Sequence, residues 1–320
     1  MKVYVKTPAR LHLGLIDLNG CMGRMFGGLG VGIDKPSVVI EAEVASSLSV
    51  TGKERLFVAE LVNRFCRVYN VEPNVHIHVL QAISAHTGLG SGTQFALAVA
   101  AALAKLNGLN VSVSQLAYDM GRAKRTGVGT AVFEKGGFVV DCGKKIGCVS
   151  SSGFSSSSLF RQLFPKDWRF VIAVPNVAKG LCDSNEVSAF NKLPPMPEGD
   201  VARICHLIMF KLLPALSEED IESFGEALTA IQVLTGNYFS HVQGGTCVNS
   251  NVANMLAVIK DSGAYGVGQS SWGPAVYGVV EQSQAENILQ KVRKHLDQSV
   301  GGEAFIAKGQ NKGATIKVIK

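Results

Sequence analysis

The sequence predicts an α+β fold with mixed sheets and packed helices, and three observations carry that prediction. Hydrophobic residues make up 47% of the 320-residue chain and charged residues 18%, enough apolar side chain for a sizeable core. Period-two segments alternate with period-3.6 segments, but the helical ones are grouped between strands, which disfavours a doubly wound sheet. A serine-rich stretch, Ser150–Ser158, reads as a loop near a boundary and divides the chain into domains 1–155 and 156–320.

Lys2–Lys6, Val38–Val44 and His76–Leu80 alternate apolar and polar residues and read as strands. Glu54–Tyr69 reads as an amphipathic helix, with Leu56, Leu61, Phe65 and Val68 at helical spacing. Thr93–Leu106 is an alanine-rich helix, Ser112–Lys124 a third helix, and Phe138–Asp141 a return to strand. Phe170–Val174 is a buried strand ended by Pro175. The proline-rich connection Leu193–Pro197 leads to helices near Val201–Leu213, Glu218–Leu234 and Val248–Lys260. Strands near Ala275–Val280, Ala304–Ala307 and Thr315–Ile319 surround a helix near Gln282–Leu296.

Several function classes are disfavoured. The longest apolar run, Phe95–Ala104, has ten residues, and a membrane-spanning helix needs about 20, so no integral membrane protein is expected. The start, MKVYVKTPAR, has no signal-peptide core, and seven cysteines without a CxxC pair point to a reducing cytoplasm. The net charge of +6 suits an anionic ligand. The basic residues are scattered, and their one tight cluster, Arg122, Lys124 and Arg125, has no interleaved aromatics, so nucleic acid is not the expected partner.

The strongest local feature is His86-Thr-Gly-Leu-Gly-Ser-Gly-Thr-Gln94, directly before the helix Thr93–Leu106. Glycines let the backbone approach a ligand closely, and the first amides of a helix point outward with partial positive charge. Gly88, Leu89, Gly90, Ser91, Gly92 and Thr93 are therefore expected to cradle phosphate. The plainer reading is a helix cap, since Ser91 and Gln94 fit a capping box. Neither a Walker loop nor a G-x-G-x-x-G fingerprint after the first strand is present.

The chain resembles the GHMP kinase superfamily through three motifs in order: Pro8-Ala-Arg-Leu-His-Leu-Gly14, Gly88-Leu-Gly-Ser91, and Gly266-Val-Gly-Gln-Ser-Ser-Trp-Gly-Pro274. The resemblance implies a two-domain fold of that type. The sequence also departs from the kinases. In many of them an S-G-x-D segment supplies an aspartate near the acceptor hydroxyl, though some manage without it; the matching segment here is Thr126-Gly-Val-Gly129, and glycine offers no proton acceptor. Where kinases carry a third glycine run, Gln269, Ser270 and Trp272 bring side chains.

These departures resemble one branch, the β-ribofuranosylaminobenzene 5′-phosphate synthases of tetrahydromethanopterin biosynthesis. Matching segments are Arg10-Leu-His-Leu-Gly14, Gly127-Val-Gly-Thr-Ala131 with Glu134-Lys-Gly-Gly-Phe-Val-Val-Asp141, and Gly268–Pro274. The branch implies transfer of ribose 5-phosphate from phosphoribosyl pyrophosphate to 4-aminobenzoate or 4-hydroxybenzoate. CO2 and pyrophosphate are lost and a β-C-riboside 5′-phosphate forms. Mg2+ on the pyrophosphate and a homodimer are expected with it. The alternatives are an ATP-dependent small-molecule kinase and a non-catalytic nucleotide-binding sensor.

Site expectations follow from that reading. Arg122, Lys124 and Arg125 are candidate clamps for the 5′-phosphate or the carboxylate, or else an ordinary exposed helix end. Arg10 and His12, two apart, share one side of a strand, and His12 is a donor to the acceptor's ring substituent or a structural histidine. Asp17 and Glu134 are candidate magnesium ligands, hydrogen-bond partners of those bases, or solvated carboxylates; the metal ligands are not identifiable from sequence. Gln269, Ser270, Ser271 and Trp272 are expected to line an aromatic pocket, with Trp272 stacked on the ring or packed in the core. Arg24, Thr130 and Glu186 complete the candidates for substrate contact.

Overall fold

The structure, a computed structural model, describes residues 1–147, 158–177, 190, 193–243 and 245–319. It has two mixed layers. Strands β1 (Lys2–Asp17) and β2 (Arg24–Val44) form a long antiparallel hairpin at the centre of the first sheet. With β3 (Ser49–Gly52), β4 (Val75–Gln81) and β12 (Thr315–Ile319) the order is β12-β1-β2-β4-β3; β5 (Phe138–Asp141) and the short β6 (Lys144–Lys145) pair with β2, and β7 (Ser158–Gln162) with β5. The second sheet has the order β11 (Gly302–Lys308), β8 (Trp168–Pro175), β10 (Val276–Glu281), β9 (Gly266–Gln269).

Both central strands run well past the segments expected from the sequence. Their middles do not alternate apolar and polar because both faces are covered. Ala9, Leu11 and Leu13 enter the core, while Arg10 and His12 face a cavity. On β2 the row Gly28, Gly30, Gly32 lets a helix lie directly on the strand: a methyl group at Gly30 would fall 2.3 Å from Val128 Cγ1.

That helix, α4 (Val128–Lys135), was not expected. It follows α1 (Arg55–Tyr69), α2 (Ser91–Leu106) and α3 (Val113–Asp119). α2 is buried all round from Gln94 to Ala104, as a central helix must be. The third helix, expected to reach Lys124, stops at Asp119. The Asp119 side chain accepts from Gln115 Nε2 at 2.9 Å and from the Tyr69 hydroxyl, and its carbonyl accepts from Arg64 Nε at 2.7 Å. Gly121 (φ +68°) and Ala123 (φ +53°) then turn the chain away. Arg122, Lys124 and Arg125 therefore lie on a loop, not on a helix end.

The Asp141 carboxylate holds that loop from below. It is fully buried and accepts the amides of Gly127 (2.7 Å), just before α4, and Gly143 (3.2 Å). Asp141→Asn replaces one acceptor oxygen by a donor facing an N–H. The expected loss is about 1.5–3 kcal/mol of stability, read as a lowered urea midpoint at unchanged m-value.

In the second half, α5 (Glu198–Leu207), a π-helical turn (Ile208–Leu212) and α6 (Leu213–Glu218) replace the single helix expected near Val201–Leu213. Pro214, in the first turn of α6, cannot continue an α ladder, and the wider π turn accommodates it. α7 (Ile221–Gln243), α8 (Ser250–Asp261) and α9 (Gln282–Asp297) complete the molecule. Val171, Val276 and Val280 of the second sheet pack with Met255 and Ile259 of α8 and Ile288 and Val292 of α9. The expected division at residue 155 falls outside the described residues. β7 and β12, both beyond it in sequence, complete the first sheet.

Candidate active site

The three glycine-bearing motifs, far apart in sequence, meet at one place. Arg10 N donates to Leu89 O (3.1 Å) and Arg10 Nη1 to Gly88 O (2.7 Å). Ser270 Oγ donates to Gly88 O (2.8 Å) and accepts from His12 N (3.0 Å). Ala275 N donates to Thr87 O at 3.1 Å. This closeness requires glycine. A methyl group at Gly88 (φ +91°) would lie 2.2 Å from Ser270 O, and one at Gly273 2.1 Å from the Thr87 carbonyl carbon.

α2 begins at Ser91, two residues earlier than expected, after Gly90 (φ +81°), and no side chain caps it. The Ser91–Gln94 box does not form. Gln94 is instead buried and donates through Nε2 to Gly129 O (3.0 Å), tying α2 to α4. Gly90 O takes the amides of Thr93 (3.2 Å) and Gln94 (3.1 Å), and the amides before them lie outside the helical ladder. Two guanidiniums pack over this end. A methyl group at Gly90 would fall 2.8 Å from Arg10 Cγ, and one at Gly92 2.8 Å from Arg122 Nη2.

Arg10 and Arg122 form part of the wall of a cavity of about 670 Å³, together with Lys124, Arg125 and Thr93. No Asp or Glu is among its described lining residues. Phe190, Phe239 of α7 and Trp272 line the same cavity. Arg125 lies 4.3 Å above the Phe190 ring, and Trp272 meets Phe239 at 4.6 Å and Phe190 at 5.9 Å, edge to face. Gln269 also lines the cavity but works as a brace: Oε1 accepts from Val248 N (3.1 Å) and Nε2 donates to Ser271 O (3.0 Å). Gln232 of α7 holds the same strand to β1, accepting from Gln269 N (3.0 Å) and donating to Leu13 O (2.8 Å).

His12 is buried, and burial, then the Arg10 charge, pushes its pKa down to about 3. A histidine ordinarily titrates near 6.5, so between pH 6.5 and about 3 the unfolded chain accepts a proton that the folded one refuses. Stability must fall as the pH drops through that window. His12→Asn is expected to flatten that fall, which urea midpoints measured at a series of pH values would show.

The structure separates the remaining candidates. Asp17 Oδ1 accepts from Asn19 N and Gly20 N, both at 2.8 Å, and shapes the turn after β1. Arg24 donates to Cys142 O (3.0 Å) and Gly143 O (2.7 Å). Glu134 is exposed at the far end of α4, 3.9 Å from Lys135. Thr130 is buried, and among the described residues its Oγ1 has no hydrogen-bond partner. None of these four lines the cavity. Ser270 lies behind it as a pin, whereas Ser271 and Trp272 line it, and of the phosphate loop Thr93 does. Glu186 lies outside the described residues. Asp141, Phe190, Gln232 and Phe239 were not anticipated.

Among the described residues the expected magnesium finds no protein-held site. Among the described residues no group of three His, Cys, Asp or Glu could hold a metal, and the two carboxylates proposed for it lie off the cavity.

Residues 56–137 match the family of GHMP kinases N terminal domains, and residues 212–298 that of GHMP kinases C terminal domains. A β-ribofuranosylphenol 5′-phosphate synthase of Methanothermobacter thermautotrophicus is 34% identical over 98% of both chains. One of Archaeoglobus fulgidus is 35% identical over 98% of this chain and 99% of its own. The chain belongs to this synthase family of the GHMP kinase superfamily. A homoserine kinase of Methanococcus maripaludis is more distant, 22% identical over 80% of this chain and 79% of its own. Among solved structures, mevalonate diphosphate decarboxylase from Staphylococcus aureus (TM-score 0.70, 13% identity, 99% and 98% covered) and homoserine kinase from Cytophaga hutchinsonii (0.67, 18%, 99% and 97%) share the fold.

Gly129, where many kinases of the superfamily carry aspartate, lies in the first turn of α4 on the cavity wall, and a methyl group there would lie 3.1 Å from Thr93 Cγ2. Gly129→Asp is expected to crowd Thr93 and confer no kinase activity, measured as ADP release with homoserine or mevalonate.

Proposed function

We propose that this protein transfers ribose 5-phosphate from phosphoribosyl pyrophosphate to a benzoate ring, releasing pyrophosphate and CO2 and forming a β-C-riboside 5′-phosphate. The observation that carries the reading is the cavity: four cations, no acid among the described lining residues, and an aromatic wall beside them. The family relatives are named for a ribofuranosylphenol product, which favours 4-hydroxybenzoate over 4-aminobenzoate as acceptor.

The cations act where charge develops. As the bond between the sugar C1′ and the pyrophosphate oxygen breaks, negative charge collects on the leaving group. Arg10, Arg122, Lys124 and Arg125, backed by the α2 N-terminus, meet that charge in a site of lowered dielectric. Guanidinium forks also suit the 5′-phosphate and the benzoate carboxylate. Phe190, Phe239 and Trp272 offer flat apolar surface to the ring and exclude water from the oxocarbenium-like carbon. The attacking atom is carbon and carries no proton, so the aspartate of the kinases has no task at Gly129.

Mg2+ enters the proposal only as counter-ion of the donor's pyrophosphate. Among the described residues no helix is long and apolar enough to cross a membrane. Cys21, Cys66, Cys205 and Cys247 are free thiols, which supports a cytoplasmic setting. A homodimer is proposed by family likeness and is read by light scattering. The reaction is tested with carboxyl-labelled 4-hydroxybenzoate: one labelled CO2 per pyrophosphate, dependent on phosphoribosyl pyrophosphate, is the expected result. ADP release with a hydroxylated metabolite would point to the kinase alternative. Ligand-induced thermal stabilisation with no turnover would point to the sensor.

A further inference from the structure

The His12 imidazole is buried, lines the cavity and makes no hydrogen bond to a described residue. The ring nitrogens are not among the sealed polar atoms of the molecule, so a molecule seated in the cavity can reach the imidazole. Its position is set by its surroundings. The backbone amide is pinned by Ser270 Oγ at 3.0 Å. Across β2, a methyl group at Gly28 would fall 3.0 Å from His12 Nε2 and 3.1 Å from Thr126 Cγ2. The ring thus sits beside Thr126, the residue after Arg125, whose guanidinium covers Phe190 in the aromatic wall. The charged groups sharing its cavity are Arg10, Arg122, Lys124 and Arg125, all cationic, with no carboxylate among the described residues there. Nothing described stabilises an imidazolium, and the resting ring is neutral.

We propose that His12 is a catalytic proton relay for the ring hydroxyl of a phenolic acceptor. The inference rests on the reaction proposed above. It reverses the role expected from sequence, since the imidazole accepts a proton from the substituent before returning it.

The hydroxyl lies para to the attacking ring carbon. As the bond from that carbon to C1′ forms and pyrophosphate leaves with its electron pair, the hydroxyl oxygen feeds electrons into the ring. Its O–H becomes strongly acidic, and the proton passes to His12. The result is a neutral dienone carrying both sugar and carboxylate on one carbon. The bond to the carboxylate then breaks, CO2 leaves, and its electron pair restores the aromatic ring as a phenolate. The imidazolium returns the proton to that oxygen, and the protein ends as it began. A weak base suffices, because the acid it meets is far stronger, and a weak base gives the proton back readily. An amino acceptor needs no such transfer, since its nitrogen carries the positive charge as an iminium.

The test compares His12→Asn with wild type on two acceptors by labelled-CO2 release at pH 8. One is 4-hydroxybenzoate; the other is its 3,5-difluoro derivative, whose hydroxyl enters already ionised. Taking the variant-to-wild-type ratio for each acceptor removes the fluorines' own effect on the ring. The expected kcat loss is on the order of 10²- to 10³-fold with the phenol and under about tenfold with the phenolate. Equal losses, or none, overturn the relay while leaving the transferase reading intact. If wild type releases no CO2 from either acceptor, the transferase reading fails and the relay with it. Should the variant not fold, wild type decides: a normal D2O effect on kcat with 4-hydroxybenzoate, absent with the difluoro acceptor, supports the relay, and equal effects contradict it.

Discussion

Gly273→Ala is expected to abolish turnover and to lower the melting temperature. Its methyl group would lie 2.1 Å from the Thr87 carbonyl carbon and 2.2 Å from both Thr87 O and Gly88 N. These are backbone atoms, so no side chain can rotate away, and the two glycine segments must part. Overpacking of this kind costs about 1–3 kcal/mol. The catalytic penalty is larger. Separation pulls Ser270 from Gly88 and His12, and with them the register between β1 and the α2 N-terminus. A displacement of about 1 Å costs on the order of 10²-fold in rate, and several groups move together here. Gly199→Ala, where nothing lies within 4 Å, is the control and should behave as wild type. A Gly273→Ala protein with wild-type kcat would mean that the junction of the two motifs does not shape the site.

Arg122→Met is expected to cost on the order of 10²- to 10³-fold in kcat/KM for the phosphoribosyl donor, the usual effect of removing one preorganised donor from a developing anion. Arg122 Nη2 sits over Gly92 at the α2 N-terminus and on the cavity wall, so its charge adds to the helix end where a leaving anion would lie. Methionine keeps the stem and removes the fork. Arg122→Lys should recover part of the loss, because a point charge replaces a bidentate one. Initial rates over a donor concentration series check both variants. An unchanged kcat/KM would move the pyrophosphate away from this helix.

The sequence carried the fold class well because α9 is long and strongly periodic and α2 is long and alanine-rich. It carried the site in part. Arg10 and His12 could be placed together because a strand puts residues two apart on one face, and both do line the cavity. The middles of β1 and β2 were hidden by the same fact, since a strand with a core on one side and a catalytic cleft on the other shows no polar alternation. Arg122, Lys124 and Arg125 were visible as charge but not as geometry. The helical pattern before them runs on past Asp119, and only Gly121 marks the turn.

Gln232 fell inside the expected helix and Phe239 past its expected end at Leu234, and neither stood out because their partners Trp272, Gln269 and Leu13 come from distant parts of the chain. Asp141 looked like the last residue of a strand, although a carboxylate between an apolar run and a glycine is also what an amide-binding turn requires. Glu134 and Asp17 were expected as magnesium ligands, as hydrogen-bond partners of Arg10 and His12, or as solvated carboxylates. Helix α4 carries Glu134 to its far end, and the turn after β1 spends Asp17 on the backbone amides of Asn19 and Gly20.

The bond that forms separates this account from a phosphoryl transfer on the same fold. Phosphoribosyl pyrophosphate labelled with 13C at C1′ and 4-hydroxybenzoate labelled with 13C at the carboxyl-bearing ring carbon, incubated with the protein, should give a product whose NMR spectrum shows one-bond coupling between the two labels. An unlabelled ring-to-sugar junction, or phosphate moved from ATP to an acceptor oxygen while activated ribose is left intact, would contradict it.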